Sequence, residues 1–207
     1  MTSNLHISAN QWRVSILKAC IGAHVARGVA EDIADAALAL LELNQNPLAS
    51  LLDRLDGFQP SAPTPPWPGS TQSASLGPLQ VLHHGPSLVD MAQAGIACAC
   101  EIDDLALLLG LAQSRLYSHG ISFEYSRNGT DWQSVSVVAH NRITQTDNGP
   151  IWLRKTTSGD LVPLKLTNLP QPTPHDWARL LALASQIMVP ADDTNRADAG
   201  AGLTDND

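Results

Sequence analysis

Basic residues are scarce in this chain. Its 207 residues include 12 Lys and Arg against 20 Asp and Glu, which gives a formal net charge of −8. A protein with this balance is repelled by nucleic-acid phosphates and by anionic membrane surfaces. Neither nucleic acid nor a membrane is therefore expected as a partner.

Long apolar runs and an export signal are also missing. Although 43% of the residues are hydrophobic, no stretch approaches the about 18 apolar residues of a transmembrane helix. Met1 to Asn4 lack the basic-then-apolar pattern of a signal peptide. Three cysteines do not make a disulfide framework. We expect a soluble, cytoplasmic protein, long enough to bury a core without a metal or disulfide.

The familiar catalytic signatures are absent too. The sequence contains no GxSxG elbow, no phosphate-binding GxxxxGK[ST] loop and no strand-GxGxxG-helix unit. Cys98 and Cys100 have no second cysteine pair to complete a thiolate metal site. We therefore expect no bound metal and no cofactor, and whether the protein is an enzyme stays open.

The chain divides into four segments. Residues 1–56 are predicted to be helical, because Ser8 and Gln11 form a capping-box pattern and apolar residues recur at helical spacing on both sides of Gly28. Residues 57–78 contain six prolines and are predicted to be a connector. Residues 79–189 form the predicted α+β domain. Residues 190–207 form an acidic tail that also contains Gly and Ala.

Strand and helix signals alternate within residues 79–189. Cys98 to Cys100 are typical of a strand, Pro86 opens a short helix, and Asp103 caps a longer helix that ends at Gly120. Two hairpins are predicted: the first joins Ile121–Tyr125 to Trp132–Val138, and the second joins Ile151–Lys155 to Asp160–Leu166. Thr173-Pro174 opens the last helix. The predicted fold class is α+β: an N-terminal helical hairpin, then an antiparallel sheet of four to five strands with helices on one face.

The histidine pair His83-His84 is the most suggestive local cluster. Adjacent histidines in a loop, with Asp90 nearby, are candidates for acid-base catalysis. The alternative is local hydrogen bonding, because consecutive side chains usually point apart. Arg27 and Arg142 are candidates for holding an anionic substrate, with a solvated turn as the alternative for Arg27.

Short motifs mark both ends of the chain. Near the start, Lys18 to Ala23 and then Gly28 to Asp32 are similar to a K-A-A-x-G-A-G pattern followed by G-x-A-E-E. With these motifs the chain resembles a bacterial family classed only as a domain of unknown function, and its ending, Gly200 to Asp207, resembles the end of that family more closely. Cys20 and His24 depart from the pattern. The resemblance implies a bacterial origin and a shared architecture, and it transfers no catalytic residue.

The last eight residues suggest a docking element. Glycine lets the backbone approach a surface closely, Leu203 offers an apolar anchor, and Asp205 and Asp207 offer carboxylates. A disordered tail is the alternative. If the tail docks, cationic groups such as Arg142, Arg154 or Lys155 would meet its carboxylates.

Two functions are compatible with these features. The first is an accessory or partner subunit of a metabolic enzyme, or a self-associating protein, as the acidic tail indicates. The second is a small metabolic enzyme of unrecognised type that uses His83, His84 and Asp90 on a small anionic substrate.

Overall fold

A computed structural model describes residues 6–60, 74–138, 150–156 and 163–187, except the side chains of residues 74–78, 98, 137 and 138. Three helices come first and a mixture of strands and helices follows, and the predicted α+β class is confirmed. The helices are α1 (Ala9–Gly22), α2 (Arg27–Glu42), α3 (Leu48–Asp56), α4 (Val81–Gln93), α5 (Leu105–His119), α6 (Val135–Val138) and α7 (Pro174–Ser185). The strands are β1 (Ala74–Leu79), β2 (Cys98–Ile102), β3 (Phe123–Ser126), β4 (Gln133–Ser134) and β5 (Ile151–Lys155).

The N-terminal helical hairpin is confirmed. The amide of Gln11 donates to Ser8 Oγ at 3.3 Å and the amide of Ser8 donates to Gln11 Oε1 at 2.9 Å, which completes the predicted capping box. The side chains of Trp12 and Ile16 are fully buried. They pack in the same cluster as Ile33 on α2. Burial of these apolar stripes stabilises two helices that are short for independent stability.

The sheet is largely antiparallel, with strand order β1-β2-β5-β3-β4. The pairs β2/β5, β5/β3 and β3/β4 are antiparallel, which agrees with the predicted antiparallel sheet, although only the pair β3/β4 was predicted as such. The edge strand β1 lies parallel to β2, because α4 connects them and a parallel pair needs such a crossover. Most of β1 lies within the 57–78 segment predicted as a connector.

The two faces of the sheet differ in chemistry. Phe123, Tyr125, Ile151 and Leu153 alternate along β3 and β5 and are buried in the core with the helices. On the opposite face Arg154 donates to Glu124 Oε2 at 2.7 Å, and the same guanidinium lies 3.9 Å from the centre of the Trp132 ring. The helices therefore pack on one face, as expected.

One hydrophobic cluster joins the helices of residues 1–56 to the elements of residues 79–189. The helices α2 and α5 approach closely at Gly110, where an added Cβ would lie 2.9 Å from the carbonyl oxygen of Ala36. This close contact brings the facing side chains of α2 and α5 together. Within the described ranges, no helix combines the length and the apolar character needed to cross a bilayer.

The prediction of α4 was wrong at its start. The helix begins at Val81 and not at Pro86, so His83 and His84 lie in its first turn and not in a loop. The cause is a distant cap: the amide of Val81 donates to Asp103 Oδ1 at 2.8 Å. Asp104 instead caps α5, accepting from the amide of Leu107 at 2.9 Å.

The predicted return strands differ from the structure. From Trp132 to Val138 only Gln133–Ser134 form a strand, and α6 follows directly. Ser136 on α6 donates to Gln113 Oε1 of α5 at 2.9 Å, which ties this turn to the helical layer. In the second predicted hairpin β5 is confirmed; of the predicted return strand Asp160–Leu166, residues 160–162 lie outside the described residues and residues 163–166 form no strand. Pro163 lacks the amide donor that a sheet ladder requires.

Candidate functional site

The predicted histidine pair makes contacts within the fold. His83 Nε2 lies 2.8 Å from the carbonyl oxygen of Gln59, and the His83 ring stacks on Phe58 with 4.4 Å between centroids. His84 is buried, with Nδ1 at 3.2 Å from the carbonyl oxygen of Gln80. Burial lowers the pKa of His84 and so favours its neutral form. The His83 contacts hold α4 against the end of α3.

Asp90 is not brought to these histidines. It lies seven positions after His83 on the same helix, which corresponds to about 10 Å of rise. Its carboxylate pairs with Arg115 of α5 at 3.2 Å. The three residues proposed as acid-base groups are therefore distributed along α4 and do not meet in one site.

The remaining predicted site residues have few described contacts. Arg27 is the first residue of α2, is largely exposed, and pairs with Glu31 one turn later at 3.1 Å. Arg142, Leu203, Asp205 and Asp207 lie outside the described residues. Anion binding by Arg142 and docking by the tail therefore stay predictions.

A cleft of about 300 Å³ lies between α2 and the C-terminal half of α5. We call it the α2–α5 cleft. Residues of α2, α5 and the segment before α7 line it: Asp32, Asp35, Leu38, Ser114, Arg115, Tyr117, Ser118, His119 and Leu164. Its size is at the lower end of the range of about 300–1,000 Å³ that small-molecule sites occupy.

Two ion-pair systems border the α2–α5 cleft. The Arg115 guanidinium lies between Asp32 on α2, at 3.5 Å, and Asp90 on α4, at 3.2 Å. Burial raises the pKa of Asp32, and Arg115 only partly opposes this effect. Arg13 of α1 holds Asp35 through two hydrogen bonds, at 2.6 and 3.3 Å. Both arginines are thus directed at carboxylates of the protein.

Hydroxyl groups occupy the α5 side of the cleft. Ser114 donates to the carbonyl of Leu111 and Ser118 to the carbonyl of Ser114, each at 2.8 Å. Ser118 Oγ is also 2.5 Å from His119 Nδ1. Each serine proton is directed at a carbonyl of its own helix, and the Ser118 oxygen is in addition in contact with His119.

Tyr117 closes one wall of the α2–α5 cleft. Burial raises the pKa of Tyr117 to about 12, and the neighbouring carboxylate of Glu42 acts in the same direction. Glu42 Oε1 accepts the amide of Lys165 at 2.6 Å. The Tyr117 hydroxyl also donates a hydrogen bond to the Glu42 carboxylate, so this carboxylate joins α2 to α5 and to the segment before α7.

Metal-binding groups do not cluster in the described residues: no three His, Cys, Asp or Glu side chains are placed to hold an ion there. Cys20 and Cys100 are buried and belong to the hydrophobic core. Burial raises the pKa of Cys20 to about 12, so its reactive thiolate is disfavoured.

The sequence did not identify Asp32, Arg115 and Ser118 as members of one site. Asp32 lies in the second turn of α2, and His119 is the last residue of α5. The spacing of Asp32 and Asp35 places both on one helix face, but no local pattern indicates that this face meets α5.

Comparisons of the chain with protein-family models, with curated proteins and with solved structures find no match. The resemblance of the chain ends to a bacterial family therefore stays a prediction.

Proposed function

We propose that this protein is an accessory or partner subunit of a metabolic enzyme and that it acts by binding. The observation that carries this proposal is the use of His83, His84 and Asp90. His83 packs on Phe58 and Gln59, and Asp90 pairs with Arg115. Two of the three residues proposed for acid-base chemistry therefore join α4 to other segments, and His84 lies 3.2 Å from the carbonyl oxygen of Gln80 at the start of its own helix.

The surface offers groups suited to contact with another molecule. Leu181 on α7 is 45% exposed, next to the buried Trp177, Leu180 and Ala184 of the same helix. The α2–α5 cleft adds a concave polar surface on another helix pair. Single exposed apolar residues are common, so Leu181 supports the proposal only together with the predicted docking residues Leu203, Asp205 and Asp207.

Reconstitution from purified components tests this function. An enzyme that co-elutes with the tagged full-length chain in extract of the native host is identified, purified separately, and mixed with the chain. We expect a complex of fixed stoichiometry and a change in the enzyme's kcat or KM. Deletion of residues 200–207 should weaken the complex without changing the unfolding transition of the chain.

Two results would contradict the accessory function. One is a full-length chain that forms no stoichiometric complex with any enzyme of its host. The other is a complex whose enzyme activity is identical with and without the chain. The variant Leu181→Ser tests whether the exposed leucine of α7 takes part in the complex, because it reduces apolar exposure without altering the net charge.

A small enzyme is the second candidate, and the α2–α5 cleft favours it through different residues from those predicted. Asp32, whose pKa is raised by burial, and His119 both line that cleft. A carboxyl group tuned in this way is typical of general acids and bases. The C-terminal end of α5 is electronegative, however, so it does not favour an oxyanion at Ser118.

Turnover measurements separate the two candidates. The purified chain, free of partner, is assayed on a panel of small polar substrates beside Asp32→Asn, His119→Gln and His83→Gln. Activity that is lost in the first two variants and kept in His83→Gln would establish the enzyme function. Binding without turnover in all four proteins would support the accessory function.

A further inference from the structure

The turn between β3 and β4 contains an Asn-Gly pair at Asn128-Gly129. Such a pair is prone to spontaneous deamidation in water, because glycine has no side chain to shield its amide nitrogen. The Gly129 nitrogen gives up its proton and attacks Asn128 Cγ, the Cγ–Nδ2 bond breaks, and ammonia leaves with a proton. Water then opens the resulting cyclic imide to an aspartate or to an isoaspartate, in which the main chain runs through the side-chain carbon.

Hydrogen bonds hold both ends of the Asn128 amide in this turn. Asn128 Oδ1 accepts from Ser126 Oγ at 3.0 Å. The same oxygen accepts the amides of Thr130 and Asp131, at 2.9 and 2.8 Å. Asn128 Nδ2 donates to Asp131 Oδ2 at 2.6 Å. The side chain therefore cannot rotate toward the Gly129 nitrogen without breaking several of these bonds.

The attacking nitrogen is held as well. The amide of Gly129 donates to Ser126 Oγ at 2.9 Å, and Ser126 is only 1% exposed. The proton that must be lost is thus directed at a buried hydroxyl and not at solvent. Gly129 has φ of 76°, and a Cβ added there would lie 3.3 Å from Trp152 Nε1 on β5. This packing restricts the backbone movement that would bring the Gly129 nitrogen toward Asn128 Cγ.

We propose that Asn128 is a spontaneous modification site that the folded turn protects. Deamidation proceeds when the turn opens locally and releases Asn128 from Ser126 and Asp131. The product does not fit the closed turn, because a carboxylate at position 128 lacks the N–H that Asp131 accepts and places two like charges together. The reaction is therefore a one-way record of turn opening. It requires neither a partner nor turnover and is independent of the accessory function.

The rate of deamidation in the full-length chain tests this proposal. The protein is kept at neutral pH with and without denaturing urea, digested with pepsin in acid, and mapped by mass spectrometry. We expect Asn128 to react about tenfold or more slowly in the folded chain than in the unfolded one, since its hydrogen bonds must first break. Equal rates in the two conditions would overturn the proposal.

Variants of the holding groups locate the protection. Asp131→Ala removes the acceptor for Asn128 Nδ2 at an exposed position, and Ser126→Ala removes the buried hydroxyl. Each should raise the rate at Asn128 about fivefold or more in the folded chain. The matched control is Ser185→Ala, which removes a hydroxyl that donates to a carbonyl of α7 and should leave the rate unchanged. Unfolding curves establish that the variants are folded, and an unchanged rate in folded Asp131→Ala would overturn the proposal.

Exchange of the two side chains tests why the product does not fit. Asn128→Asp reproduces the aspartate product and should lower the melting temperature. The double variant Asn128→Asp/Asp131→Asn exchanges donor and acceptor at unchanged net charge, and it should recover most of this loss. A single variant as stable as the unmodified chain, or a double variant that recovers nothing, would contradict the one-way step. Neither result bears on the accessory function, which is measured by complex formation and enzyme activity.

Discussion

Asp103 and Asp104 are adjacent in the chain and cap two different helices. Asp103 Oδ1 accepts the amide of Val81 at the start of α4, and Asp104 Oδ1 accepts the amide of Leu107 in the first turn of α5. Ser50 of α3 donates to Asp104, and Arg54 of α3 donates to the carbonyl of Asp103. The end of β2 thus fixes the positions of three helices.

Loss of the Asp104 cap should destabilise the protein measurably. Asp104 is only 3% exposed, and Asp104→Ala removes both the acceptor for Leu107 and that for Ser50. We expect the free energy of unfolding to fall by about 1–3 kcal/mol. Urea denaturation measures it. Asp104→Asn keeps one acceptor oxygen and should lose less, so equal losses in the two variants would contradict this role.

The pH dependence of stability should show the raised pKa of Asp103. Burial is the largest cause of this shift, and the raised pKa means that the charged form is less stable in the fold than in the unfolded chain. The contribution of Asp103 to the free energy of unfolding is therefore fully present below about pH 3.9, the ordinary pKa of an aspartate. It is lost as the pH rises through the raised pKa. Asp103→Asn keeps an oxygen for the Val81 amide and removes this titration.

Urea denaturation at several pH values compares Asp103→Asn with the unmodified chain. The stability of the variant relative to that chain should be most favourable at pH 7 and should decrease as pH falls toward 4. Asp176→Asn is the control of opposite sign, because the hydrogen bond from Thr173 lowers the pKa of Asp176. If the stability of Asp103→Asn relative to the unmodified chain instead increased as the pH fell, the prediction would be contradicted.

His84 should destabilise the fold in mild acid. Burial lowers its pKa, so between that lowered value and the ordinary value of about 6.5 the unfolded chain binds more protons than the folded one. Stability from this residue is present above about pH 6.5 and decreases as pH falls through the lowered pKa.

The variant His84→Asn tests this dependence, because its amide nitrogen can replace Nδ1 as a donor to the carbonyl of Gln80. Denaturation curves between pH 7.5 and 5 should show a smaller decrease for the variant than for the unmodified chain. Parallel curves over this interval would show that His84 does not titrate in the expected direction.

Gly22 should tolerate no side chain. An added Cβ would lie 2.0 Å from the carbonyl oxygen of Leu183, where α1 meets α7. Relief requires a backbone shift, and Gly22→Ala should lower the free energy of unfolding by about 1–3 kcal/mol.

Gly28→Ala is the matched control, since nothing lies within 4 Å of a Cβ added there. It should leave stability unchanged or raise it by up to about 1 kcal/mol, because alanine favours the helix. The same change of one methyl group thus has opposite expected effects, and thermal unfolding compares them. Equal effects would indicate that α1 and α7 are not in close contact.

Local signals in the sequence were sufficient where a helix is capped by its own neighbours. Ser8 and Gln11 start α1, Thr173 caps α7, and Gly120 ends α5 with φ of 67°. These groups meet their partners within a few residues, so short-range patterns identify them. The α+β class also followed from local periodicity.

Tertiary structure decided the start of α4 and the composition of the α2–α5 cleft. Val81 lacks a local side-chain cap, and Asp103 supplies one from 22 positions later in the chain. Asp32 and Arg115 come together because α2 packs on α5 at Gly110. Such meetings depend on which helix faces share the core, and the pattern of one segment carries no information about the segment packed against it.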